Sequence, residues 1–498
     1  VAFGRPLART RHSTRKLAAH APASAIPVQT RKVAVSQPPD NDQAGHEGRE
    51  SAPREFLEMQ TKRQSNEKSS DWTWRRWHWW VLLAALLIRI AVGVVVDRES
   101  SFAGWDGKEY YAYAHSLLTL HGDSYPRYFN LIRPAGYPIF LIPFVAISNN
   151  IWPIQIAQAF IGTFQAWLLG SIACRWRGQR SGNISFVITL FNPFLIYYCA
   201  FILTETLFMA LLWGALLSLQ RFHLSSEQDS NRRLLLSAIL LALASLTRPS
   251  LQPFLLVSLL WIGWRTWTKS SSWEALKKAS AFGALSCALI VPFMFHNWLT
   301  HSTFSLAPNN WQVVYAQGNS SDYLLLLRAQ TKSEYYSIQD RLHSHFSIES
   351  GTGPQEWMTE AREFSQSNAH GWWLLQLYKL KHFWTPWLNP IIFSRTQFLL
   401  SLFFTTPLFV LAFLELWRRR HERDPFMLLL LGLVGVGYLV GGFLFHVQVR
   451  YRIPFVDVTF LILTASFLAR FDLKQIRFDL HSYVNALRER RVVMISDL

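Results

Sequence analysis

The stretch "VLLAALLIRIAVGVVV", residues 81–96, carries a single charge, Arg89. A run near ~20 residues matches the ~30 Å hydrocarbon core of a bilayer, whereas runs of ~10–14 are more often buried helices. About ten blocks along this chain qualify as spans. In lipid every backbone N–H and C=O must be satisfied within the protein, so spans of this length are helices. The chain is therefore expected to be an all-α polytopic membrane protein with about ten transmembrane helices. Composition agrees: 50% of the residues are hydrophobic and 16% charged, against about 25% charged in an average soluble protein.

The net charge is +17, which would suit nucleic acid. The basic residues, however, sit beside the apolar blocks or in the N-terminal stretch, and no basic face interleaved with aromatics emerges. Nucleic acid is therefore not expected as a partner; membrane lipids are. The cysteines, Cys174, Cys199 and Cys287, lie in or at apolar blocks without ligand spacing. Neither disulfide nor zinc is expected.

Loop charge orders the spans, because Lys and Arg stay on the cytoplasmic side. Residues 79–96 run outward after "WTWRRWHWW". Residues 151–174, 203–220, 251–266, 396–417 and 454–469 return inward and end at basic clusters. Residues 184–200, 234–247, 279–295 and 426–446 run outward. The expected organisation is a disordered basic cytoplasmic tail over 1–77 (Arg-rich and acid-poor, as an organellar transit peptide also is) and a transmembrane catalytic module over 78–295. An extracytoplasmic segment at 296–395 follows, then C-terminal helices over 396–470 and a tail over 471–498. Both termini are expected in the cytoplasm. "RPAGYPIFLIPFVAIS", 133–148, is short and proline-rich. It reads as an interfacial or re-entrant segment within a long first outer loop, 97–150.

The outer ends of the spans gather an unusual set: Asp106, Lys108 and Glu109, then Arg133, Glu205, Arg248, Arg450 and Arg452. Charge at or in the membrane is costly, and function is its default explanation. Guanidinium forks suit phosphate, and carboxylates can take a proton from a hydroxyl. Each residue also has a plainer reading. Asp106-x-x-Glu109 has capping-box spacing, and Tyr110, Tyr113, Ala114 and Leu117 would lay one helix face on the lipid headgroups. Glu205 could make an interhelical hydrogen bond, and the arginines could be interfacial anchors. His78, His296 and His446 have no ligand pattern and read as interfacial.

Three segments together resemble the polytopic GT-C glycosyltransferases, in particular the bacterial branch similar to dolichyl-phosphate-mannose-protein mannosyltransferases and lipid A aminoarabinose transferases. "WDGKEYYAYAHSLL…RPAGYPIFL" is similar to the first outer loop, "YYCAFILTETLF" to a Thr/Ser-Glu-Thr-Leu-Phe span start, and "RYRIPFVDVTFLILTA" to a last outer Arg-Tyr-x-x-Pro motif. "WQVVYAQGN", 311–319, is similar to a weaker pattern after the middle span. The likeness covers about 78–470. Many members carry a second acid directly after the Asp; here Gly107 and Lys108 precede Glu109, and Ala135 stands where a second Pro is usual.

The resemblance implies a GT-C-like fold and an inverting glycosyl transfer on the extracytoplasmic face. The donor would be a polyprenyl-phosphate sugar, and the acceptor a lipid, glycan or protein. Asp106 matches the general base, with Glu109 beside it. Lys108, Arg133, Tyr137, Glu205, Arg248, Arg450, Tyr451 and Arg452 fall where substrate contacts would lie. No cofactor is certain; a divalent metal stays possible, with no metal ligands assigned. The expected location is a bacterial inner membrane. The rival class is a transporter or flippase of a lipid-linked sugar.

Overall fold

The computed structural model describes residues 72–96, 102, 105–119, 133–224, 227–307, 310–346 and 353–471. The expectations for residues 1–71 and 472–498, and for much of the loop at 97–132, fall outside these residues. Among the described residues the regular structure is entirely helical. Among the described residues, seven helices are long and apolar enough to cross a membrane: Arg76–Val95, Trp152–Arg177, Glu205–Leu224, Ser272–Thr300, Arg395–Arg418, Pro425–Leu444 and Val449–Leu468. An eighth span would be the pair Gln179–Leu190 and Pro193–Ala200, bent by 48°. The chain is an integral membrane protein.

Two further expected spans form helices that fall short on length or apolarity. Gln252–Trp267 has 16 residues, about 24 Å at 1.5 Å per residue. Glu227–Thr247 is apolar only from Leu234 onward, past Arg232 and Arg233. The proline-rich piece forms the helix Gly136–Ile147 of 12 residues, about 18 Å, too short to span a bilayer core of ~30 Å.

The run Val458–Ser466 is buried on every side. A helix apolar all round belongs at the centre of a bundle, and its threonine hydroxyls turn to backbone. Thr464 donates to Leu408 O at 3.0 Å and Thr459 to Phe455 O at 2.6 Å. Ser272–His301, by contrast, leaves Leu276, Val291 and Phe295 exposed, as a lipid-facing helix does. In the polar stretch between spans, helices from Asn310–Gly318 to Ala369–Trp384 pack around their own core of Trp357, Leu375, Tyr323 and Ile338.

Buried amides repair the broken backbone that carries the functional groups. The helix Pro193–Ala200 stops at Phe201, and the next begins at Glu205. The carbonyls exposed by this break need donors, because a buried unpaired group costs ~1–3 kcal/mol. Gln155 donates to Ala200 O at 3.0 Å. Gln158 donates to Cys199 O at 3.1 Å and Phe201 O at 2.7 Å. Beyond the break, Gln165 donates to Thr206 O in the first turn of the next helix, at 2.6 Å. All three project from Trp152–Arg177, spaced to share one helix face. Tyr137 in turn donates its hydroxyl to Gln158 Oε1 at 2.8 Å, which docks the short helix onto the frame. Gly136 permits that docking: a Cβ there would lie 2.6 Å from the Leu246 carbonyl carbon.

The bundle has two charged ends. At one, buried Glu415 accepts from Arg418 at 3.1 Å, from Ser466 at 2.6 Å and from Arg419, and pairs with Arg470 at 3.4 Å. Asp424 caps the Pro425 helix through Phe426 N at 2.9 Å, and its other oxygen takes Trp176 at 2.6 Å and Arg177 at 3.0 Å. The other end carries the acids and arginines picked out in the sequence.

One of those arginines belongs to the fold. Arg452 is 2% exposed and pairs bidentately with Asp457, at 2.8 and 3.2 Å. It also donates to Phe383 O at 2.9 Å and to Thr385 O, and lies over the Phe409 ring. It ties the end of Ala369–Trp384 to the last span and has no part in the acid cluster described below. Breaking a buried pair on one side strands the other charge, at a cost of ~3–5 kcal/mol. Arg452→Met is therefore expected to lower the thermal midpoint of the detergent-purified protein strongly. The double variant Arg452→Met, Asp457→Leu should recover much of that loss.

Candidate active site

The site starts at the helix Trp105–Thr119. Gly107 N–H donates to Phe102 O at 3.0 Å, and a Cβ at Gly107 would lie 2.8 Å from the Phe102 Cα. The position that follows the Asp therefore has no room for a side chain. Asp106, Glu109, Tyr110 and Tyr113 recur at three- and four-residue steps and share one face. Asp106 sits inside the first turn, and both its oxygens go to guanidiniums instead of helix amides, which corrects the capping expectation. Tyr110 and Ala114 pack against Tyr137 and Leu141, with the Tyr110 and Tyr137 rings edge to face at 5.2 Å. That face meets protein, where the sequence suggested headgroups.

Arg133, just before the short helix, binds both acids of this face. Its Nε donates to Glu109 Oε2 at 2.6 Å, its Nη2 donates to Asp106 Oδ1, and its guanidinium lies 5.2 Å from the Tyr110 ring centre. From the far end of the chain, Arg450 Nη1 reaches Asp106 Oδ2 at 2.5 Å, and its Nε lies 4.0 Å from Glu205 Oε1. Glu205, 1% exposed at the start of its helix, also meets Arg248 Nη1 at 3.3 Å. The six groups alternate in one chain: Glu109, Arg133, Asp106, Arg450, Glu205, Arg248. Tyr451 lies beneath it, its ring centre 5.2 Å from the Arg248 guanidinium and 5.4 Å from that of Arg450.

The remaining nominated residues fall elsewhere. Lys108 is exposed, at the step from Asp106 that points off the shared face. Tyr137 is fully buried behind the site, holding Gln158. Arg452 is committed to Asp457.

Burial alone would raise the Asp106 carboxyl, but Arg450 and Arg133 outweigh it and hold it well below the ordinary carboxylate value. Burial would likewise lower Arg133, yet Asp106, Tyr110 and Glu109 raise it. Among the described residues no group of three or more His, Cys, Asp and Glu side chains gathers as ligands. The three acids face guanidiniums, so the donor set does not fit a divalent ion.

A cavity of about 800 Å³ opens beside this chain, within the usual ~300–1,000 Å³ of ligand sites. Arg450 and His446 line its polar part, with Tyr198 and Tyr323; Trp387 and Ile392 are among its apolar walls. His446 therefore lines a cavity and is not an interfacial anchor. Sequence reasoning missed the residues that build this wall. Asn319 donates to Leu444 O at 2.8 Å, and Lys379 is fully buried with its ammonium 2.8 Å from Phe443 O. Burial brings Lys379 down to about 7. The available signals were the Asn inside "YAQGN" and a lysine within an apolar helical face.

No protein-family model matches the chain, and neither does any curated protein. In structure it is similar to the archaeal oligosaccharyltransferase AglB of Archaeoglobus fulgidus in complex with an inhibitory peptide and a dolichol-phosphate: 13% identity, TM-score 0.43, 83% of this chain and 52% of that one. The apo form of that enzyme gives 12% identity and TM-score 0.44, over 84% and 52%. ArnT from Cupriavidus metallidurans bound to undecaprenyl phosphate gives 14% identity and TM-score 0.37, over 77% of each chain. The chain spans about half the length of the oligosaccharyltransferase.

The low Asp106 carboxyl has a consequence for stability. Its folded value lies below the unfolded one, near ~3.9, so its stabilisation is complete above that pH and is lost as pH falls through the folded value. The thermal midpoint of the wild type is expected to fall more steeply than that of Asp106→Asn between about pH 5 and pH 2, measured by unfolding in detergent.

Proposed function

We propose that the chain is a membrane glycosyltransferase that moves a sugar from a polyprenyl-phosphate donor to a lipid, glycan or protein hydroxyl or amine on the extracytoplasmic face. The observation that carries this reading is the alternating chain of acids and arginines at the edge of a cavity with a long apolar wall. Arginines recognise phosphate bidentately, apolar walls suit a prenyl chain, and a carboxylate stands between them.

In the resting arrangement Asp106 is a poor base, because Arg133 and Arg450 stabilise its charged form. A donor phosphate competes for the same guanidiniums. As Arg450 and Arg248 turn to the phosphate, Asp106 keeps only Arg133, and its affinity for a proton rises. The acceptor O–H or N–H then gives its proton to Asp106 while the acceptor atom bonds to the anomeric carbon. The bond from that carbon to the phosphate oxygen breaks on the opposite face, and the configuration inverts. The leaving polyprenyl phosphate takes the electron pair and is stabilised by Arg450 and Arg248. Glu109 holds Arg133 in place, and Glu205 sets the resting position of Arg450 and Arg248. No step uses a metal.

Membranes bearing the chain are expected to transfer label from polyprenyl-phosphate mannose, glucose or arabinose to a product resolved by mass spectrometry. Transfer should proceed in both sealed and opened vesicles. Asp106→Asn should lower that rate by about 10²–10⁴-fold at wild-type abundance. Movement of label that needs sealed vesicles and leaves no glycosylated product would favour a flippase instead.

A further inference from the structure

The irregular turn between the last two spans is held from three sides. Val447 N–H donates to the Tyr323 hydroxyl at 2.6 Å. Leu444 O accepts from Asn319, and Phe443 O from Lys379, each at 2.8 Å. Gly318 lets the Asn310–Gly318 helix approach: a Cβ there would sit 3.0 Å from the His446 Cα. The His446 ring is buried at both nitrogens, and neither has a hydrogen-bond partner. It stands between the rings of Tyr323, at 6.3 Å, and Tyr451, at 5.5 Å, and it lines the same cavity as Arg450.

An unpaired buried polar group is costly, and a rigid backbone around it is how a recognition group is held ready. Burial brings the imidazole down to about 3, with Arg450 and Lys379 adding to the effect, so the ring is neutral at pH 7. A neutral imidazole offers one N–H donor and one acceptor nitrogen. A phosphate diester has acceptors only and would leave the second nitrogen unmet. A pair of hydroxyls satisfies both. We infer that His446 reads the sugar on the lipid phosphate, its ring N–H donating to one hydroxyl of that sugar and its other ring nitrogen accepting from a second. This deepens the donor-binding reading proposed above and rests on it.

The test is equilibrium binding to the full-length protein in detergent. The probes are undecaprenyl phosphate alone and its mannosyl, glucosyl and arabinosyl forms. The wild type is expected to bind at least one glycosylated form more tightly than the bare lipid. His446→Phe should erase about tenfold to a hundredfold of that preference and leave bare-lipid binding within about twofold. His446→Gln, which keeps a donor and an acceptor, should retain most of it. His446→Ala replaces the Phe variant in the same assay if the latter cannot be purified. The inference is overturned if the wild type shows no preference for any sugar, or if His446→Phe keeps the preference. It is also overturned if that variant weakens bare and glycosylated lipids equally. A preference lost in His446→Phe, in a wild type that transfers nothing, upholds His446 as the sugar reader and removes the transferase reading. Binding of none of the four lipids removes both.

Discussion

The contact between Arg450 and Asp106 is the one on which the functional end depends. It joins the last span to a helix near the start of the chain, at 2.5 Å. Through Glu205 and Arg133 it draws two further elements into the same cluster. Buried charge is tolerated only when paired, so each of these groups constrains its neighbours. Three carboxylates meet three guanidiniums, and the set is neutral as a whole. The proposed donor phosphate would add negative charge to a balanced system and would have to displace a carboxylate from an arginine. In the mechanism proposed above, recognition of the ligand and activation of the base are then one event.

That cluster stands on a frame of uncharged polar groups. The break between Phe201 and Glu205 would be unstable in an apolar bundle without Gln155 and Gln158, and Gln165 ties the first turn of the next helix to the same face. By meeting the stranded carbonyls from one helix, they fix where Glu205 begins its own helix. Tyr137 and Gly136 carry the constraint to the short helix, and so to Arg133. The opposite end of the bundle is organised in the same way around Glu415 and Asp424.

Much of this is legible in the sequence, for a simple reason. A charge beside an apolar block is costly enough to stand out, and Asp106, Glu109, Arg133, Glu205, Arg248 and Arg450 all stand out. The helical class follows from the length of the apolar runs. What stays hidden is which charge pairs with which. Arg450 and Arg452 lie two residues apart and look equivalent, yet helical geometry turns them to different sides, and Asp457 claims the second. Tyr137 looks like a ligand contact because its motif is exposed in sequence, whereas its hydroxyl meets a glutamine from another helix. Asp106 has the spacing of a cap, and only the tertiary approach of two arginines removes it from that role. His446 gave no pattern, since what marks it is a missing partner.

The order of the groups along the chain has its own consequence. Asp106 is followed closely by Arg133, and Glu205 by Arg248, whereas Arg450 comes after nearly every span has been made. Asp106 and Glu205 therefore each have an early companion and a late one. During synthesis neither acid waits unpaired beside lipid for the last helix to arrive. The late arginine then bridges the two half-built pairs, and the functional centre comes into being only when the bundle is complete.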